Sequence, residues 1–263
     1  MAMQKVLCPF CGSAQVVFNG KDKRGNQRCI CKNPDCEHTT FALNYINNGS
    51  KPGIEEKIIT NTMNGAGVRD TARSLHVSKD KVISVLRNLH AKVQFVNTEY
   101  LNSLDQSVSL ECDIVVDGEF NIDNLEEYEE LKVEIDEMWS FYQSKKQQIW
   151  LWWLVDHKNN TPIAFVFGDK TASNLKRLLD LVKDYNIAMF YGDGNQVYSR
   201  YIPENKLTIS KKNTQQIERN HLTLRTRLKR LARKTICFSK DLMIHIAVVG
   251  TFINLYFFHR ILS

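Results

Sequence analysis

The sequence predicts an α/β domain, a mixed sheet with flanking helices, in the second half of the chain. A small cysteine-rich module and an all-α module precede it. Three observations carry this. Beyond residue 131, apolar residues fall into strand-length runs at 133–139, 149–155, 162–167 and 187–191, with one helical pattern at 171–185 and another around 215–222. Five of the seven cysteines crowd into the first 36 residues. Between these regions, residues 54–89 hold three short stretches with apolar residues at helical spacing.

A length of 263 residues allows one large domain or two to three small ones. The net charge of +6 permits a nucleic-acid partner without requiring one. Its distribution is more informative. Residues 111–137 carry twelve acids and one base, Lys132, whereas residues 206–240 carry eleven bases and one acid, Glu218. A solvated helix face is the plain reading of such a basic run. An odd number of cysteines, clustered at one end, suits a metal site in a reducing compartment better than a disulfide framework. Residues 1–7 are too short and mixed for a signal peptide. Residues 242–258 form the one candidate membrane stretch. They are short for a span and interrupted by His245, Gly250, Thr251 and Asn254, so they predict a buried core helix.

In chain order, Cys8-Pro9-Phe10-Cys11 is a knuckle whose tight turn aims two thiolates at one tetrahedral ion. Cys31 and Cys36 are the expected second pair, with Cys29 as competitor and His38 as a weaker one. A zinc ribbon over residues 1–46 explains how a segment with few large apolar residues folds at all. Residues 47–53 form a linker by composition. Residues 54–63 and 68–75 read as helices separated by Gly65-Ala66-Gly67. His76-Val77 is a turn, Ser78 an N-cap, and residues 79–89 a third helix with Val82, Val85, Leu86 and Leu89 on one side. Helix, short helix, tight turn, helix is the helix-turn-helix plan, expected over residues 51–95. Lys79, Lys81 and Ser84 would then face the major groove. A small bundle with another job is the alternative. Residues 96–130 are expected to be a connector, helical over 91–110 and ending in the acidic insert.

The run at 149–155 is apolar on both faces, an interior strand, and its three tryptophans read as core rather than as a base-stacking platform. Three consecutive strands, a helix, a strand and a late acidic helix give the element order of a ribonuclease-H-like domain, expected over residues 131–263. Within it lie Asp136 in the strand at 133–139, Asp193 at the end of the strand at 187–191, and Glu218 in the helical pattern. Two strand-borne Asp and one helix-borne Glu suit two divalent ions and phosphodiester chemistry, because magnesium and manganese prefer hard carboxylate oxygens. Glu134 and Glu137 compete with Asp136 for the inward position. Arg225, two turns after Glu218 on one helix face, can reach a phosphate. Lys211 and His221 are lesser phosphate candidates.

These motifs together resemble the insertion-sequence-one family of bacterial transposases, over nearly the whole chain. The resemblance rests on the first knuckle with the later cysteines and on Met63-Asn64-Gly65-Ala66-Gly67-Val68-Arg69-Asp70-Thr71-Ala72-Arg73. It continues through Val133-Glu134-Ile135-Asp136-Glu137-Met138-Trp139, Tyr191-Gly192-Asp193-Gly194, the stretch from Ile217 through Arg225, and the basic run from Arg230 to Lys240. It implies a catalytic triad at Asp136, Asp193 and Glu218, and the twenty-four residues between the last two match the family's short spacing. It also implies DNA partners, namely terminal inverted repeats and target DNA. The expected setting is bacterial cytoplasm at the nucleoid, with a homodimer or higher oligomer on the DNA and no membrane. The family typically joins two reading frames by ribosomal frameshifting; here both halves sit in one chain. Two departures stand out: the second knuckle is wider than the usual C-x2-C, and the acidic insert has no counterpart. The rival readings are a DNA-binding repressor with a decayed catalytic half and a nuclease on the same fold.

Overall fold

The computed structural model describes residues 5–106 and 130–260. The acidic insert, apart from Glu130, lies outside the described residues. The chain divides into two compact units, Met1–Val85 and Leu86–Ser263.

The first unit opens with a three-stranded antiparallel sheet in the order β1 (Val16–Lys21), β2 (Gln27–Cys31), β3 (Thr40–Ala42). Its small core is Cys8, Cys29, Cys31 and Phe41, so sulfur supplies much of the packing. Helix α1 (Ile54–Met63) buries Ile54, Ile58, Thr62 and Met63, and α2 (Val68–Leu75) buries Thr71 and Ala72. The α2 helix ends on His76, whose φ of 51° turns the chain sharply. Ser78 Oγ then accepts the Lys81 N–H at 3.1 Å, the expected N-cap of α3 (Lys79–His90). Val82, Val85, Leu86 and Leu89 are buried along one side of α3.

The second unit is a five-stranded mixed sheet. It is built from β4 (Leu131–Phe141), β5 (Gln148–Asp156), β6 (Pro162–Gly168), β7 (Ile187–Gly192) and β8 (Leu207–Ile209), in the order β6-β5-β4-β7-β8. The β4–β5 and β5–β6 pairs are antiparallel, and the β4–β7 and β7–β8 pairs are parallel. This is the ribonuclease-H-like mixed sheet with flanking helices. Helix α5 (Ala172–Asp180) makes the crossover that a parallel β4–β7 pair demands. The short α6 (Tyr198–Tyr201) follows β7. Val133, Ile135, Trp152 and Leu154 pack with Leu175 and Leu178 of α5 in the main core. The alternate β4 residues Glu134 and Ser140 contact α7 (Gln215–Arg227) and α8 (Leu242–Tyr256) through hydrogen bonds to Ile217 and His245.

Two local expectations needed revision, and one strand was not anticipated. Residues 91–97 are not helical; only Thr98–Gln106 forms a helix, α4. Phe95 and Asn97 instead bond along β6, through Phe165 N to Phe95 O at 2.9 Å and Asn97 N to Ile163 O at 2.7 Å. That pairing satisfies a sheet edge, which outweighs a weak helical preference. The helix expected at 171–185 stops at Asp180. Strand β8 has three residues, too few to show a period.

Trp152 and Trp153 are fully buried, as core residues should be. Helix α8 is a core helix, and no described helix is long and apolar enough to cross a membrane. Its polar residues are satisfied. Asn254 accepts from Gln94 N at 2.8 Å and donates to Gln94 O at 2.7 Å. His245 bonds Ser239 at 2.9 Å and Ser140 at 3.2 Å.

Candidate active site and metal centre

The cysteines of the first unit converge. The sulfurs of Cys8, Cys11, Cys31 and Cys36 all lie within 4.8 Å of one another, the one such group of possible metal ligands among the described residues. Cys8 to Cys36 is 3.8 Å and Cys11 to Cys31 is 3.7 Å. Zinc–sulfur bonds of about 2.3 Å in a tetrahedron put sulfurs about 3.8 Å apart, so the set fits a zinc ion. Local turns build it. Gly12, at φ 70°, lets its N–H reach Cys8 O at 2.9 Å, and Cys8 N bonds Ser13 O at 2.8 Å. The backbone N–H of Ser13 and the Asn33 side chain lower the Cys11 thiol to about 6, which favours a thiolate. Cys29 is fully buried outside the group, and burial raises its thiol, so it stays protonated and packs as core. The ring of His38 stacks on Phe10 at 3.9 Å.

In the second unit, strand register sets the acids. Ile135 pairs with Gly192 in the parallel β4–β7 ladder, so Asp136 and Asp193 are the next residues on neighbouring strands. A Cβ on Gly192 would meet the Tyr198 ring at 2.9 Å, so only glycine admits this close approach. Glu218 lies in the first turn of α7 and is exposed. The three share one electrostatic environment. Burial first, then the carboxylates of Glu137, Asp193 and Glu218, push Asp136 up to about 7, against the Glu137 N–H at 2.8 Å. The three acids do not converge as tightly as the sulfurs, because like charges repel. Three hard carboxylates whose charges act together at Asp136 are a donor set that fits divalent magnesium or manganese.

The three acids of the β4 triplet differ in their surroundings. Glu134 is fully buried and bonded to Ile217 and His157; Glu137 is bonded to Tyr198, Asn195 and Lys170. The Asp136 side chain is 20% exposed, and among the described residues its Oδ1 accepts only the N–H of the next residue.

His221 is engaged by Trp153. Trp153 Nε1–H donates to His221 Nε2 at 2.8 Å with the rings stacked, so Nε2 carries no proton. Nδ1 must then hold the proton, and it faces Asp136 Oδ2 at 3.6 Å. Burial first, then Arg225, lower His221 to about 3, so this contact is between a neutral ring and a carboxylate rather than an ion pair. Arg225 stands near enough for its charge to act on His221. Burial and the nearby Arg233 lower its guanidinium, while Asp136 raises it. Arg233 went unnoticed in the sequence, where only the basic run hinted at it. Lys211 is exposed just before α7. On α3, Lys79 and Ser84 are exposed, but Lys81 Nζ is held by Glu55 Oε1 at 2.5 Å. That ion pair takes the charge expected to meet a phosphate.

Comparison with known proteins places this geometry. Residues 131–259 match the family described as IS1 transposase, and residues 45–90 match the InsA C-terminal domain. The protein InsB of insertion element iso-IS1n from Shigella dysenteriae is 48% identical over 126 residues, 48% of this chain and 96% of that protein. InsB of insertion element IS1 from Shigella flexneri is 38% identical over 122 residues, 46% of this chain and 93% of that protein. Among solved structures, the catalytic core domain of BIV integrase aligns with a TM-score of 0.32 at 17% identity, over 46% of this chain and 83% of that one. The chain thus belongs to the IS1 transposase family, as a DNA-binding transposase of the DDE type.

Proposed function

We propose that the chain binds the terminal inverted repeats of an insertion element and catalyses cleavage and strand transfer of DNA at Asp136, Asp193 and Glu218. The observation that carries this is the β4–β7 register, which sets two acids side by side where the charges of Glu218 and Arg225 also act. When bound, two divalent ions, magnesium or manganese, would supply activation of the attacking hydroxyl and stabilisation of the leaving oxygen. The residues do the rest. Asp136 from β4, Asp193 from the end of β7 and Glu218 from α7 would hold the ions. His221 lies beside the Asp136 carboxylate, Nδ1 to Oδ2 3.6 Å, and Arg225 and Lys211 neutralise phosphates of the DNA.

Upstream, Cys8, Cys11, Cys31 and Cys36 hold one zinc ion in a ribbon over residues 1–46. Residues 51–95 form the helix-turn-helix that reads the repeat through Lys79 and Ser84, with Lys81 bracing α3 against α1. Residues 96–130 connect, and 131–263 catalyse. An element has two ends, so at least two copies act together. Chromosomal DNA is the substrate, which places the work in the cytoplasm at the nucleoid.

The test is cleavage and joining of labelled terminal-repeat DNA in magnesium or manganese, beside a gel shift of the same proteins. Asp136→Ala, Asp193→Ala and Glu218→Ala should each lose chemistry by roughly a thousandfold or more, without adding, and keep repeat binding. Robust cleavage by Asp193→Ala would sink the trio. Wild-type binding with no cleavage under any metal would favour a repressor, and cleavage without joining a nuclease.

A further inference from the structure

The strand that bears Asp136 carries an acid on each side of it. Glu134 is fully buried, and its Oε2 accepts the backbone N–H of Ile217 at 2.8 Å. Ile217 immediately precedes Glu218 in the first turn of α7. That helix has no side-chain cap of its own, since Thr214 makes no capping bond. A first-turn N–H therefore finds its acceptor on another element, on the strand two residues from Asp136. Glu134 Oε1 is held in turn by His157 Nδ1 at 2.8 Å.

Glu137 does the matching job for Asp193. Its carboxylate is 3% exposed. Oε1 accepts from Asn195 Nδ2 at 3.0 Å and Lys170 Nζ at 2.7 Å, and Oε2 accepts from the Tyr198 hydroxyl at 2.5 Å. Asn195 is the residue that shapes the loop after β7. Its N–H donates to Asp193 Oδ1 at 3.0 Å, and its own Oδ1 accepts Val197 N–H at 3.1 Å. Holding the Asn195 amide holds the loop that presents Asp193.

We infer that Glu134 and Glu137 are positioning residues: each ties the element bearing one of the other two acids to the strand that bears Asp136. One strand thereby sets the spacing of all three carboxylates, against their mutual repulsion. This rests on the reading of Asp136, Asp193 and Glu218 as metal ligands. Both tethers act through reach and hydrogen bonding; the Glu137 charge that also raises Asp136 is paired with Lys170 Nζ at 2.7 Å. Gln preserves the reach: at 134 its oxygen still accepts Ile217 N–H and its amide donates to His157, and at 137 the Tyr198 hydroxyl turns to accept. Asp keeps the charge but falls one methylene short.

The experiment uses the full-length, zinc-loaded chain. It measures Mn2+ binding by calorimetry and backbone amide exchange by mass spectrometry. Glu134→Asp and Glu137→Asp should each weaken Mn2+ binding by about 10-fold to 100-fold, and Glu134→Gln and Glu137→Gln should remain near wild type. Exchange should quicken only at the start of α7 for Glu134→Asp, and only in residues 193–197 for Glu137→Asp. The Gln proteins keep the test open even if an Asp variant folds poorly, because Gln variants that lose Mn2+ overturn the inference. So does Mn2+ binding ranked Asp above Gln. Asp193→Ala and Glu218→Ala serve as controls. If both bind Mn2+ like wild type, the metal-ligand reading itself falls and takes the tethers with it. If both lose Mn2+ while the Asp substitutions at 134 and 137 do not, the tethers alone fall.

Discussion

The chain contains a converging set of four sulfurs and a looser set of three acids, and they are built in opposite ways. The four sulfurs come from residues 8 to 36 and are gathered by local turns, at separations that suit a single closed tetrahedron. The three carboxylates come from residues 136 to 218 and are gathered by a parallel strand register and a helix docked from afar. Thiols can pack against each other as a small core, and Cys8, Cys29 and Cys31 do so with Phe41. Carboxylates cannot; burial and neighbouring charge make Asp136 reluctant to ionise. The first arrangement stabilises its own fold, whereas the second is held in place at the fold's expense. A closed tetrahedron of thiolates suits a structural ion, and an open group of carboxylates suits ions that keep room for water and substrate.

The comparison is most easily broken at the sulfurs. Cys31→Ser, or removal of zinc by a chelator, should unfold the ribbon and abolish repeat binding, since structural zinc contributes on the order of 10 kcal/mol to such modules. Cys29→Ser should keep one bound zinc. Metal analysis and circular dichroism decide it, and loss of zinc from Cys29→Ser with retention in Cys31→Ser would reverse the ligand assignment.

At the carboxylates, losing a ligand should have the opposite sign. Asp136→Asn should abolish cleavage yet raise the melting temperature in magnesium-free buffer at neutral pH. The sign follows from linkage. The folded carboxyl sits at about 7 against an ordinary 3.8, so its contribution to stability is complete below about 4 and is lost as pH rises to 7. Wild type should lose stability over that window more steeply than Asp136→Asn, and parallel pH profiles would contradict the repulsion argument.

A smaller effect is expected at Arg225. Arg225→Ala should weaken DNA engagement by the catalytic half about tenfold and leave Mn2+ binding intact, because a phosphate contact positions DNA but holds no metal. Kinetics on pre-cleaved DNA ends would show a raised KM with a modest change in kcat.

The smallest lies on α3. Lys79→Ala should lower the salt slope of repeat binding by about one unit. Lys81→Ala should leave the slope nearly unchanged and cost roughly 0–1 kcal/mol of stability, the usual range for a surface pair such as Lys81–Glu55. Equal slopes for the two variants would show that Lys81 leaves Glu55 when DNA arrives.

Much of the fold was legible without coordinates. Apolar periodicity marked β4, β5, β6 and β7 and the three helices from Ile54 to His90, because burial of one face imposes its period on nearby residues. The Cys8–Cys11 knuckle was equally legible, since its geometry is closed within five residues by the bond from Gly12 to Cys8. Residues 93–97 and β8 were not legible, because a short edge segment owes its conformation to the strand it meets.

The sequence by itself determined the order of elements, the cysteine-rich start and the three acids at a family spacing, all of which depend on short-range pattern. Only the tertiary structure separates the surroundings of Glu134, Asp136 and Glu137. Three acids within four residues look alike in a sequence, and what separates them is what each meets: Ile217 eighty-three residues on, the charges of Asp193 and Glu218, and the Asn195–Tyr198 loop. It likewise decided that Cys31 joins the sulfurs while Cys29 packs inside, and that His221 turns its protonated nitrogen to Asp136 because Trp153 occupies the other. Such choices rest on strand register and helix docking, and these are set by contacts between residues far apart in the chain.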